Sequence, residues 1–356
     1  MTDTGFRSLT AEEMRRAAAG VVPLPIEQTA VWEAFEASQG RTLWGRYAWE
    51  EDGRTCALVC LHEISLRGFT YLWARHGPVW LKEQSPQRAQ RFRTDLAQLV
   101  RQRDRRVVFV RLHATYSACD LREPIQGITY DRTVVIDTTG GTEESVLESM
   151  TTDGRRAVRR ARKRMDEGGG RLLEETGLDR EQFDEYYSVL VETATRDGFR
   201  PHPEQVYWDM MTTLGPEHAR LFGIRVDGEL VCWDMVVLND RRAMAYYGAS
   251  SARARSVLGP DALDFGVAVI LAGEGIQGLD LMGAHSPRVP ELYGVGRYKQ
   301  RFARSFTDVD GAWDMPVHTG VYTLLVRALH AKHTSRSLGA RLGADLRRLR
   351  GDHDRD

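Results

Sequence analysis

Only four of the 49 basic residues are lysines: Lys82, Lys163, Lys299 and Lys332. Lys299 sits in GVGRYKQRFARSF, a glycine-loosened turn that leads into a basic stretch. An ammonium there can stabilise negative charge developing on a reacting oxygen, or hold a phosphate-bearing terminus. Arg196 follows a helical pattern and precedes Asp197-Gly198. Its planar fork of donors suits a phosphate, and Arg200 and His202 follow within a few residues. Tyr246 and Tyr247 end a strand-like run before Gly248, so strand alternation sends them to opposite faces. Asp280, in Leu279-Asp280-Leu281-Met282-Gly283, ends another strand pattern and can accept a proton or orient a lysine. Glu63, Asp104 and Asp234 are further acids near strand ends, read as partners of arginines, and His285 is read as a loop bystander. A second basic cluster runs from Gly154 to Arg164, GRRAVRRARKR. Helical spacing puts Arg155, Arg159, Arg162 and Lys163 near one face. Such a face meets RNA phosphates or an anionic membrane surface through charge alone and reads no bases.

Other chemistries lack their residues. There is no G-x-S-x-G nucleophile elbow, and no Cys/His pairing that spacing singles out. The four cysteines are too few and scattered for a disulfide framework, and the C-x3-C of Cys56 and Cys60 has no neighbour to complete a metal tetrad. A reduced, cytoplasmic setting is expected. No apolar run approaches the ~20 residues that span a bilayer, and the first residues lack the apolar core of a signal peptide. With 42% hydrophobic and 28% charged residues and a net charge of −1, the composition excludes collagen-like and disordered chains. A length of 356 residues predicts about two domains.

The elements that must position these residues alternate between α and β. The spacing predicts a helix over 29–39, strands over 43–49 and 55–61 joined by Asp52-Gly53, and a strand over 69–73. A helix over 85–102 follows, opened by Ser85-Pro86, then a buried strand over 107–112. Trp32, Trp44, Trp49, Trp73 and Trp80 are expected in the core. A strand over 133–137 and helices over 143–150, 154–168, 178–195 and 203–214 come next. The first pattern then returns: strands over 219–226 and 230–238 joined by Asp227-Gly228, a strand over 243–247, a helix over 262–273 and a strand over 279–282. The two copies share no residue-level identity, so a duplicated α/β unit is inferred from order alone. The expected domains are 1–145, with a C-terminal helix at about 317–340 packing back on it, and 146–316. A disordered tail is expected over 351–356.

Several segments resemble, in order, the FemABX-type aminoacyltransferases, which use aminoacyl-tRNA to extend peptidoglycan peptides. Gln28-Thr29-Ala30-Val31-Trp32 resembles the family's Q-S-x-x-W start, and Arg75-His76-Gly77-Pro78 its R-G-P turn. Arg155 to Lys163 resembles its basic helix, and Thr193 to Phe199 its T-x-x-R-x-G segment. Tyr246 to Ser250 resembles its Y-x-Y-G-x-S strand end, Leu279 to Gly283 its D-[FL]-x-G strand, and Gly296 to Phe302 its F-K segment. Tyr298 stands where the family has Phe, and Glu33-Ala34-Phe35-Glu36 where many relatives carry a lysine for the acceptor's diphosphate.

The resemblance implies two tandem acetyltransferase-like (GNAT) domains without an inserted helical arm. It implies transfer of Gly, Ala or Ser from aminoacyl-tRNA to the stem-peptide amine of lipid II or UDP-MurNAc-pentapeptide. The ester is already activated, so no cofactor or metal is expected beyond the tRNA co-substrate. Lys299 and Asp280 would be catalytic. Arg196, Tyr247, Arg200, Tyr298 and Arg75 would bind substrate, and Arg155, Arg159, Arg162 and Lys163 would meet tRNA or an anionic surface. A cytoplasmic monomer, with peripheral contact at the inner membrane face, is the matching expectation. The alternatives are the same chemistry on a peptide natural product or other amine, an acyl-CoA-dependent N-acyltransferase, and a non-catalytic anion-binding scaffold. The loop Ala252–Pro260 has one glycine rather than the Q/R-x-x-G-x-G/A pattern that cradles a CoA pyrophosphate.

Overall fold

The computed structural model describes residues 4–66, 68–116, 118–125 and 129–329. The first half runs β1 (Thr4–Ser8), α1 (Ala11–Ala18), α2 (Ala30–Ser38), β2 (Thr42–Glu51), β3 (Arg54–Leu66), β4 (Phe69–Trp73), β5 (Val79–Trp80), α3 (Pro86–Arg103) and β6 (Val107–Ala114). The second runs β7 (Arg132–Asp137), α4 (Glu143–Ser149), α5 (Thr152–Glu167), β8 (Gly170–Glu174), α6 (Arg180–Asp197), α7 (Glu204–Leu214), β9 (Ala219–Val226), β10 (Glu229–Asn239), β11 (Arg242–Ser250), α8 (Gly259–Gly273), β12 (Gly278–Gly283), α9 (Tyr293–Lys299) and β13 (Thr307–Asp308). β14 (Gly311–Pro316) and a helix α10 over 319–329 follow.

The two Asp-Gly turns do what their residue types favour. Asp52 and Gly53 have φ of 49° and 72°, Asp227 and Gly228 of 52° and 85°. Positive φ at both positions matches the twist of the strands they join. The first sheet has the order β1-β2-β3-β4-β6-β14 with β5 on β3, and the second β8-β9-β10-β11-β12-β7-β13. Each is antiparallel except for one parallel pair, β4 with β6 and β11 with β12. A crossover helix, α3 or α8, links each parallel pair. The doubled pattern in the sequence is therefore a doubled fold.

The boundaries expected at 145 and 316 fall differently. β7 hydrogen-bonds with β12 in the second sheet, and β14 returns from the chain's far end to pair with β6 in the first. Without these strands β6 and β12 would be bare edges. Arg111 on β6 holds Asp314 on β14 through Nε at 2.6 Å and Nη2 at 3.1 Å. Tyr322 and Leu325 of α10 pack on Tyr71, Val108 and Phe109 of the first sheet. The rest of the helix expected to 340, and the tail over 351–356, lie outside the described residues. The unforeseen β1, α1 and β8 are short edge or cap elements, and β1 and β8 present no buried residue.

One apolar cluster belongs to both halves. Ile26, Trp32 and Phe35 pack with Phe183, Tyr186, Tyr207 and Trp233. Polar contacts reinforce it: Gln39 donates to Asp209 at 2.9 Å and Asn239 to the Leu24 carbonyl at 2.6 Å. Of the five tryptophans expected inside, Trp32, Trp44 and Trp49 are buried, and Trp73 and Trp80 are half-buried.

The turn after β4 hangs on one side-chain amide. Gln28 Oε1 accepts from the Cys60 N–H at 2.7 Å, and Nε2 donates to the Arg75 carbonyl at 2.6 Å. A Cβ on residue 77 would lie 2.8 Å from that carboxamide, so only glycine lets the turn close on it. Gln28→Leu strands two buried backbone groups, each worth roughly 1–3 kcal/mol. Urea denaturation should therefore show a loss of about 2–6 kcal/mol; an unchanged midpoint would remove Gln28 from this role.

Candidate active site between the two halves

A cavity of about 710 Å³ opens between the halves. His76 and His113 reach it from the first half, and Tyr130, Thr133, Arg242 and Asp280 from the second. Its wall depends on how β11 and β12 part. They pair in parallel only at Ala243–Leu279 and Met244–Asp280. Beyond that, β11 bulges opposite Met235–Val236, and β12 slips register against β7 between Asp280 and Gly283.

The first bulge corrects the expected alternation of Tyr246 and Tyr247. An extra residue on one strand turns neighbouring side chains toward one side, and the two rings lie 5.4 Å apart. Tyr246 packs on Trp32 at 5.5 Å, and burial, then the charge of Glu27, pushes its phenol well up. Tyr247 meets Tyr207 edge-on at 4.7 Å, with its phenol pushed up to about 12 by burial and by Tyr207.

The second irregularity receives Lys299. Met282 has φ 62°, and Lys299 Nζ donates to the carbonyls of Gly283 at 3.0 Å and Met282 at 3.3 Å. Burial lowers its pKa, against the pull of Asp264, Asp280 and Asp234. Asp280 Oδ1 accepts from the Met282 N–H at 2.6 Å and from the Thr133 hydroxyl. Burial raises the Asp280 carboxyl, while His76 and Lys299 both favour its charge. Asp280 thus stands between the cavity and the lysine. Behind Lys299, Tyr298 donates to Asp264 at 2.6 Å. Asp234 is raised well above the carboxylate range by burial and by Asp264. Tyr298, expected to bind substrate, serves this buried acid pair.

Arg75 stacks over Trp73 at 3.6 Å and donates to Glu36 at 2.8 Å. Glu36 is fully buried and also takes Arg41 at 2.8 Å and the Trp32 indole at 2.9 Å. Here an acid, in the segment where relatives of the resembled family carry a lysine, gathers two arginines instead. Arg196 grips Asp197 with both arms of its fork, at 2.8 and 2.9 Å, and the Ser250 carbonyl at 2.5 Å. Thr193 Oγ1 accepts from the Ser250 N–H at 2.9 Å. The T-x-x-R segment thus fastens the end of β11 to α6, and a phosphate at Arg196 would have to displace Asp197. Arg200 is exposed on the segment between α6 and α7, away from the cavity lining.

On α5, Gly154, Ala157, Val158, Ala161 and Met165 form the buried face. Arg155, expected on the outer face, turns in to the Met150 carbonyl at 2.7 Å. Arg162 pairs with Glu143, and Lys163 lies 3.7 Å from Glu167. The exposed arc centres on Arg156, Arg159, Arg160 and Lys163, so two of its arginines were missed by the sequence reading. So were Glu27, His76, His113 and Arg41. His76 lay inside the motif that singled out Arg75, and nothing in the spacing marked the other three.

Residues 152–300 match the family model described as an acetyltransferase (GNAT) domain. No curated protein matches the chain. Among solved structures, FemX is similar with a TM-score of 0.69 at 14% identity, over 90% of this chain and 99% of that one. L-PGS from Bacillus licheniformis is similar with a TM-score of 0.52 at 11% identity, over 91% and 98%. A tandem GNAT protein from the clavulanic acid biosynthesis pathway has a TM-score of 0.50 at 12% identity, over 88% and 99%. The fold is thus a tandem pair of GNAT-like acyltransferase domains, FemX-like in its overall course.

The acid pair gives a pH test. Asp264 is raised from 3.8 to about 6, chiefly by burial, so the folded chain holds more protons than the unfolded one between those values. The stability this contributes is full below the unfolded value and is lost as pH rises through about 6. Asp264→Asn removes that loss. Its melting temperature should fall less than the wild type's between about pH 4.5 and 7; parallel curves would refute a shared proton.

Proposed function

We propose that the protein is an aminoacyltransferase that moves Gly, Ala or Ser from aminoacyl-tRNA to the stem-peptide amine of a peptidoglycan precursor, lipid II or UDP-MurNAc-pentapeptide. The observation that carries this reading is the closed N terminus of α8. An acyl-CoA enzyme of this fold seats its pyrophosphate on such a helix end. Here Pro260 removes a donor, and Asp261 places a carboxylate in the first turn, ion-paired with Arg301 at 2.8 Å. A Cβ on Gly259 would meet Cys232 Sγ at 2.8 Å, so the end is packed as well as acidic. That disfavours CoA as donor and leaves the cavity between the halves for an acyl group delivered by another carrier.

In this reading the ester of aminoacyl-tRNA brings its own activation, so the protein supplies placement, a proton acceptor and charge stabilisation without a cofactor. The resemblance to the FemABX-type enzymes and the FemX-like course support it. Lys299 holds positive charge behind Asp280 and fixes the carbonyls of the β12 turn against the site. Arg75 and Arg41, gathered by Glu36, are cations whose charge reaches Tyr247 and that suit an acceptor's diphosphate. The arc of Arg156, Arg159, Arg160 and Lys163 suits tRNA phosphates or the anionic surface around a lipid-linked acceptor. No helix among the described residues is long and apolar enough to cross a membrane, so any membrane contact in this reading is peripheral.

The test is incubation with a charged-tRNA pool and either precursor, read by mass spectrometry. One added aminoacyl residue is expected, and none when the tRNA is digested with ribonuclease beforehand; acylation from acyl-CoA without tRNA would overturn the reading. Lys299→Met should lower kcat by about 10²-fold, with near-normal turnover removing it from the mechanism. Arg159→Glu with Arg160→Glu should raise KM for charged tRNA, the variant showing a shallower salt dependence than the wild type.

A further inference from the structure

The cavity holds a histidine that no part of the proposed reading uses, backed by a carboxylate without a hydrogen-bond partner among the described residues. Glu27 lies in the short turn Ile26–Gln28 and is fully buried. Neither of its carboxylate oxygens has a hydrogen-bond partner among the described residues. A buried, unpaired carboxylate is costly and persists only where something compensates it. The nearest positive candidate is His76, whose Nδ1 lies 4.0 Å from Glu27 Oε2. His76 lines the cavity. Its φ is 49°, a left-handed conformation uncommon outside glycine and enriched at functional positions. The Gln28 amide and Gly77 hold it there, since they fix the turn on which it stands.

We propose that His76 is the base that deprotonates the attacking amine, with Glu27 as its positioning residue. This rests on the aminoacyl-transfer reading and assigns that site its proton acceptor. Glu27 behind Nδ1 keeps the proton on that nitrogen and leaves the Nε2 lone pair toward the cavity, and the 4.0 Å gap in the free protein closes when substrate excludes water. The amine nitrogen attacks the ester carbonyl carbon and forms the C–N bond while its proton passes to Nε2. Collapse of the tetrahedral intermediate breaks the ester C–O bond, and the imidazolium returns that proton to the departing ribose oxygen.

The charged and titratable neighbours fit the assignment. His113 lies 4.7 Å away, ring to ring. Its Nδ1 is tied to the Asp310 carbonyl at 2.9 Å, and burial pushes its pKa down to about 3, too weak a base for an amine. Asp280 faces His76 from β12, and Tyr130, Asp310 and Arg242 also line the cavity. Arg75 precedes His76 but is committed to Glu36.

The test uses the full chain. His76→Gly keeps the backbone conformation free of strain and opens room for imidazole. Its kcat with charged tRNA and precursor should fall by about 10²–10⁴-fold and recover at least about tenfold in millimolar imidazole, with the melting curve unchanged. Glu27→Gln should lower kcat more than it changes KM, because an amide can donate to Nδ1 and hold the wrong tautomer, as in serine-protease triads. Nitrogen-15 histidine spectra of the free protein should show His76 protonated on Nδ1 in the wild type, moving toward Nε2 in Glu27→Gln. An active wild type with His76→Gly within about threefold of it, or a wild-type His76 protonated on Nε2, would overturn the dyad alone. A wild type inert with every charged tRNA would overturn the transfer reading and the dyad's role in it.

Discussion

The amide of Gln28 is the contact on which the first half's contribution to the cavity depends. It joins the backbone of β3 at Cys60 to the carbonyl of Arg75, so a strand and the following turn become one rigid piece. Both amide ends are buried, and each backbone group they satisfy would otherwise lie unpaired. The turn presents Arg75 toward Glu36 and His76 toward the cavity. An ion-pair hub and a strained histidine are thus placed by a neutral hydrogen bond rather than by their own charges. That order is physically sensible: a neutral amide is cheaper to bury than an ion and fixes geometry without attracting counter-ions.

The second half reaches the same end by a different device. A parallel pair joined at only two positions must part, and the parted ends expose backbone groups that need partners. Lys299 meets two of them, and the Met282 N–H is met by Asp280. The opening is thereby held apart by a cation and an acid fixed a residue or two from one another along the strand. The acid pair of Asp234 and Asp264, with the Tyr298 hydroxyl, fills the space behind with groups that share protons rather than carry full charge. A lysine in that setting has its pKa lowered by burial, while the three acids near it pull the other way.

Much of this order is readable in the residues, and the exceptions have physical causes. The Asp-Gly turns, the Ser85-Pro86 helix start and the apolar runs mark their elements because each local preference agrees with the final fold. Boundaries at 145 and 316 leave residues 132–137 and 311–316 on the other side from the sheets they join, because strand pairing across the chain leaves no trace in local spacing. The opposite-face reading of Tyr246 and Tyr247 failed at a bulge, which period-two reasoning does not foresee. Arg155 turned inward because a helix start leaves carbonyls and hydroxyls before it to be satisfied, and a long side chain finds them. Lys299 and Asp280 were found through motif and rarity and do lie near one another. Glu27 and His113 carried no such mark, since a single acid in a turn and a single histidine at a strand end are common everywhere.

The distribution of charge separates two tasks. Cations that suit phosphates lie where they are gathered by an acid, as Arg41 and Arg75 are by Glu36, or on the outer arc of α5. Titratable groups line the cavity, where burial alters two of them: the His113 pKa is pushed down and that of Asp280 is raised. In the proposed transfer, an amine that enters as its ammonium must lose a proton before it attacks. That proposal therefore needs a proton acceptor within reach of the bound nitrogen. Asp280 is held on one oxygen by a backbone N–H and a hydroxyl, and His113 on one nitrogen by a carbonyl. Of the basic groups on the wall, His76 alone, among the described residues, combines an aspect toward the cavity with a carboxylate behind it that has no other duty.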